Sequence, residues 1–68
     1  MRMLRDFKRG DLLVSERLDR RYLVLSVDTI GDSKLFGFLR LRELANDREE
    51  LLPPDYFGSA WQVFREAP

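Results

Sequence analysis

The chain has no cysteine and no histidine. The first absence removes a disulfide framework, a zinc ribbon, an iron–sulfur site and a thiol nucleophile. The second removes a Ser-His-Asp triad, imidazole acid–base chemistry and an HExxH zinc site. Net charge is missing as well, because 12 Lys+Arg balance 12 Asp+Glu, so bulk electrostatics alone do not draw the chain to nucleic acid. No apolar run approaches the roughly 20 residues of a membrane span. The start, Met1-Arg2-Met3-Leu4-Arg5-Asp6, carries charge with no apolar stretch behind it, so a secretory leader is not expected and the cytoplasm is the default compartment. These exclusions leave a small binding or structural domain, for which no cofactor and no metal are expected.

What is present is a core former. Ordering 68 residues costs on the order of 100 kcal/mol at ~1.5 kcal/mol per residue. With no disulfide or metal in view, apolar burial has to offset it. Hydrophobic residues make up 44% of the chain and include five Phe, two Tyr and one Trp, which is the composition of a folded chain and not of a disordered one. The length allows one domain, residues 1–68.

Turn and strand signals alternate along the chain. Gly10-Asp11 is a turn in front of the apolar run Leu12-Leu13-Val14. Residues 15–20 are polar enough for a hairpin tip. Tyr22-Leu23-Val24-Leu25-Ser26-Val27 is β-branched and aromatic, too short for a core helix, and reads as a strand. Asp28 to Ser33 carries turn chemistry around Gly31. Leu35 to Glu43 reads as a second strong strand, with Leu35, Gly37, Leu39 and Leu41 on one parity and Phe36, Phe38, Arg40 and Arg42 on the other. Leu41 to Leu52 carries two patterns. Leu41, Leu44, Ala45, Arg48, Leu51 and Leu52 fall at helical spacing, whereas Asn46-Asp47 suits a hairpin tip before a short strand at 49–52. The hairpin is expected, because the preceding strand runs straight into it. Pro53-Pro54 ends that strand, Asp55-Tyr56-Phe57-Gly58 reads as one helical turn, and residues 60–65 as a last strand.

Four or five short strands with one late helical turn predict an all-β fold, a small five-stranded antiparallel barrel. Phe7-Lys8-Arg9-Gly10-Asp11-Leu12 resembles the F-x-x-G-D-hydrophobic opening of SH3-like barrels, and Leu52-Pro53-Pro54-Asp55-Tyr56-Phe57 resembles the segment that places a 3₁₀ turn before their last strand. With the strands between them, the resemblance covers nearly the whole chain. It implies an SH3-like barrel. In signalling SH3 domains the matching positions, Pro54 and Tyr56, line a groove for proline-rich peptides. The chain departs from that group in having no A-L-Y-D-Y strand, no tryptophan in its middle third, and a net basic segment at 15–21. In general appearance it is also similar to short accessory proteins encoded by phages and prophages.

Candidate sites follow from residue type and placement. Glu49-Glu50 are adjacent, so on a strand they face opposite ways and read as surface charges, not as an acid–base pair. Asp28 and Asp32 flank a turn, but the alternate acids and terminal Glu of a calcium loop are missing, so Asp28 reads as a turn-capping carboxylate. The parity of 35–43 points Phe36, Phe38, Arg40 and Arg42 outward if Leu35, Leu39 and Leu41 point inward, and the competing reading puts Phe36 or Phe38 in the core. Aromatics beside arginines suit a protein hot spot, and equally the stacking of single-stranded bases. Apolar residues on both parities of 22–27 and of the last strand suggest that some outer surface is covered by a terminus, a second copy or a partner. The expectation is a non-enzymatic module that binds a protein, or its own copy, through Phe36, Phe38, Arg40, Arg42, Tyr56 and Trp61. The alternative is nucleic-acid binding through Arg2, Arg5, Lys8, Arg9, Arg17, Arg20, Arg21, Arg40 and Arg42, since seven of the twelve cations precede residue 26.

Overall fold

Residues 2–32 and 36–66 are described in a computed structural model. Leu35 and Ser33, read above as strand and turn residues, lie outside them. The elements run η1 (Leu4–Asp6), β1 (Leu12–Ser15), β2 (Arg20–Thr29), β3 (Gly37–Glu43), β4 (Arg48–Leu52), η2 (Pro54–Tyr56) and β5 (Gln62–Phe64), where η marks a 3₁₀ turn. All five strands pair antiparallel in one sheet ordered β4-β3-β2-β1-β5. The chain is therefore all-β, with β4 and β5 as the sheet edges.

Each turn has a local cause. In the turn from Lys8 to Asp11, the Asp11 N–H donates to Lys8 O (3.0 Å) and the Lys8 N–H donates back to Asp11 Oδ2 (2.8 Å). Gly10 sits third in it at φ +93°, the position where a type II turn needs a left-handed residue. Asp19 and Asp47 take φ of 53° and 59° in the β1–β2 and β3–β4 turns, a conformation Asp tolerates better than most residues. The Asn46 carboxamide oxygen accepts the Arg48 N–H at 3.0 Å, which closes the β3–β4 turn as a hairpin. The helical spacing within 41–52 is overridden, because β3 pairs with β2 and β4 so that Leu41 is buried and Leu52 half-buried on the core face.

One sheet face carries the core. Leu13, Tyr22, Val24, Leu39 and Leu41 are buried there together with Leu4, Phe7, Phe57 and Trp61. Full burial of such side chains contributes about 1.5–3 kcal/mol each. The aromatic part is continuous: Phe57 packs edge-on to Trp61 (centroids 4.9 Å) and to Tyr22 (6.1 Å), and tilted against Phe7 (5.9 Å). A bulge in β2 sets the inward pattern. Val24 pairs with Leu41 and Ser26 with Arg40, which leaves Leu25 as an extra residue. After it the parity reverses, so Tyr22, Val24 and Val27 all face the core although 24 and 27 differ in parity. The apolar residues on both parities of 22–27 thus reflect, in part, this bulge and not a covered outer surface.

A candidate protein-binding face

Residues directly opposite each other in an antiparallel ladder share a face. Glu49 lies opposite Arg42, Arg42 opposite Leu23, Leu23 opposite Leu12 and Leu12 opposite Phe64. One row of side chains therefore crosses all five strands on the face away from the core. Beside it run Leu51, Arg40 and Ser26, then Phe38 and Asp28, and on the other flank Gln62, Val14 and Arg21. Phe64, Leu51 and Phe38 are 52%, 56% and 40% exposed, and Leu12, Val14 and Leu23 are half-buried. An apolar stripe edged by arginines is the composition of a protein contact patch.

Two arginines of this face, Arg40 and Arg42, are answered within the chain. Arg40 Nε lies 3.7 Å from Asp28 Oδ2, and Arg42 lies 3.3 Å from Asp47 Oδ1 and 3.9 Å from Glu49 Oε1. Exposed pairs of this kind contribute little to stability, about 0–1 kcal/mol each. Their effect is to neutralise the positive field that a phosphate backbone would meet.

Of the residues expected to bind a partner, β3 brings Phe38, Arg40 and Arg42 onto this face. Phe36 lies just before β3, 67% exposed, and borders a separate recess with Arg2, Met3, Gly37, Pro53, Pro54 and Asp55. Tyr56 in η2 is 43% exposed, with its ring against Phe57 and Trp61. Trp61 is a correction. It is only 3% exposed, because it shares the inward parity of Val63, which pairs with the buried Leu13, and it closes the aromatic core. No partner can touch it on the folded surface. Sequence reasoning passed over Phe64, Leu12, Leu23 and Leu51. The outward parity of Phe64 relative to Trp61 and Val63 was the available signal for the first.

The expected nucleic-acid set does not form one patch. Arg2 Nη2 donates to Trp61 O at 2.6 Å, and Arg20 Nε lies 4.0 Å from Glu43 Oε1. Arg5, Lys8 and Arg9 are exposed ahead of β1, Arg17 is exposed in the β1–β2 turn past its other end, and Arg21 projects from β2 opposite Val14. The length of β1, ~13 Å, separates the first three from Arg17.

The acids also find places that the residue types alone did not indicate. Asp28 faces Arg40 from within β2, and part of the turn it was expected to cap lies outside the described residues. Glu49 and Glu50 do point opposite ways, yet Glu50 is half-buried and accepts the Tyr22 hydroxyl at 2.8 Å. Burial, and then this hydrogen bond, pushes the Tyr22 phenol up to about 12. Asp11 is 1% exposed and accepts Arg65 Nε (2.8 Å) and Nη2 (2.7 Å) along with the Lys8 N–H. The Arg65 guanidinium holds the Asp11 carboxyl below its usual range against the opposing effect of burial. Among the described residues no cluster of three or more His, Cys, Asp or Glu suits a metal ion, and no helix is long and apolar enough to cross a membrane.

No family model matches the chain, and neither a curated protein nor a solved structure matches it.

Proposed function

We propose that this chain is a non-enzymatic protein-binding module built on an SH3-like barrel and acting in the cytoplasm, with the outer sheet face as its contact surface. The barrel reading is supported by the strand order, in which β1 lies between β2 and β5, by the bulge that bends β2, and by η2 immediately before the last strand. The observation that carries the binding reading is the outer sheet face, which leaves Leu51 and Phe38 in solvent beside Arg40 and Arg42, already neutralised by Asp28, Asp47 and Glu49, and Phe64 in solvent at its far edge. Aromatic side chains and Arg are where protein contacts concentrate their energy, with apolar area around them excluding water. A neutralised cation, by contrast, releases few counterions from a nucleic acid.

The test is comparative capture from a lysate of the source organism, using immobilised wild type, Phe38→Ser, Phe64→Ser and an Arg5→Ala/Arg9→Ala variant, with and without nuclease. The expected result is a protein retained by wild type and by the arginine variant, lost with either Phe variant, and indifferent to nuclease. Capture that nuclease abolishes, or that falls steeply with salt and with the arginine variant, replaces this reading by the nucleic-acid one.

A further inference from the structure

We infer that the partner seated on the outer face is a second copy of this chain, packed about a two-fold axis next to Leu12, Val14 and Phe64. This rests on the protein-binding reading above and names its occupant. A two-fold contact presents the same patch twice, so the patch must complement itself. It needs a projection beside a recess, and charges of both signs. Phe64 supplies the projection, with 52% of its surface exposed. Next to it lies a recess of about 360 Å³ floored by Leu12 and Val14, with Arg20 and Arg21 on its rim as well as Glu16 and Asp19 from the β1–β2 turn. In such a two-fold contact each Phe64 ring would enter the other copy's recess and each Arg21 would meet the other's acidic turn, Arg20 being held by Glu43 of its own chain. A polyanion would be repelled by Glu16 and Asp19, and a partner of one charge would satisfy only half of the rim. The chain's own copy satisfies both halves.

The size of the face sets the strength. Five strands at about 4.8 Å spacing and a few residues of length offer several hundred Å² per copy. That is below the ~800 Å² per partner of a standard stable interface, so a dimer dissociating in the micromolar range is expected.

Sedimentation velocity on the full chain from micromolar to millimolar concentration tests this. A monomer–dimer equilibrium is expected, weakened at least tenfold by Phe64→Lys and by Arg21→Glu, and largely recovered when Arg21→Glu is combined with Glu16→Lys. Circular dichroism checks that each variant is folded. An independent reading on the wild type is the change of backbone amide shifts on dilution, expected at Leu12, Val14, Leu23 and Phe64 and not at the β3–β4 turn. A wild-type chain that stays monomeric at millimolar concentration overturns the inference, as does a dimer that persists in folded Phe64→Lys. If the chain is monomeric while comparative capture still finds a protein lost with Phe64→Ser, only the identity of the partner is wrong. If both experiments are negative, the binding face itself is wrong.

Discussion

At the scale of single residues, Asp11 and Tyr22 are the two side chains whose chemistry most depends on burial. Asp11 accepts three hydrogen bonds at 2.7–2.8 Å while almost fully buried. Replacing it by Ala leaves the Lys8 N–H and the Arg65 guanidinium without their acceptor, at an expected cost of about 2–3 kcal/mol. Because Arg65 holds the carboxyl below its usual 3.8, the folded state binds this proton less tightly than the unfolded chain. The stabilisation is then complete above that value and lost as pH falls through the folded one. Urea midpoints measured through this acid range should drop steeply for wild type and much less for Asp11→Asn, which keeps an acceptor for Lys8. Tyr22 has the opposite sign. Its folded value of about 12 lies above the ordinary 10.0, so its stabilisation is complete below pH 10 and is lost as pH rises toward 12, by roughly 2–3 kcal/mol. Tyr22→Phe should cost about 1 kcal/mol at neutral pH and flatten that alkaline loss, which denaturant titrations at neutral and alkaline pH would show.

At the scale of elements, the β2–β3 pair carries inner and outer faces of the sheet and a close approach at Gly37. A Cβ added to Gly37 would overlap the backbone oxygen of Asp28 and crowd the Thr29 Cα, so Gly37→Ala must part the ends of the two strands. The expected cost is about 2 kcal/mol or more, with amide exchange speeding up first at residues 28–29 and 37–38. On the same strand Phe38→Ser should cost under about 1 kcal/mol, whereas Leu39→Ala, one residue on and fully buried, should cost about 2–5 kcal/mol. Thermal melts of the two variants decide whether the outer and inner faces are assigned correctly. This strand was also the most legible in the sequence, because Leu39 and Leu41 alternate strictly with Arg40 and Arg42. β2 was not, since one extra residue at Leu25 reverses the alternation and leaves both parities looking apolar. The hairpin at Asn46-Asp47 and the turn at Gly10 could be read from their chemistry. η1 could not, because Met3-Leu4-Arg5-Asp6 has no proline or glycine to mark it, and its cap is the Asp6 carboxylate accepting the Met3 N–H at 2.7 Å. Asp11 looked like a turn residue because the partner that buries it, Arg65, is 54 residues away.

At the scale of the whole molecule, part of the balanced charge is also balanced locally. Arg40 and Arg42 on the outer face meet acids of their own chain, and the recess beside Phe64 mixes both signs on its rim. The two chain ends are cross-braced in the same manner. Arg2 near one end holds Trp61 O, and Arg65 near the other holds Asp11 and Asp6 O. β1 and β5 place Leu12 directly opposite Phe64, so the chain enters one strand and leaves the other at the same end of their ladder. A mechanical load applied between the termini therefore peels these two strands apart bond by bond instead of shearing the ladder as a whole. The domain should yield at low force in a single-molecule pulling experiment, and at lower force still with Arg65→Ala. Handles moved to the β1–β2 turn and the end of β5 load the same ladder along its length and should raise the rupture force. Equal forces from the two attachments would show that β5 is not what holds the molecule against tension.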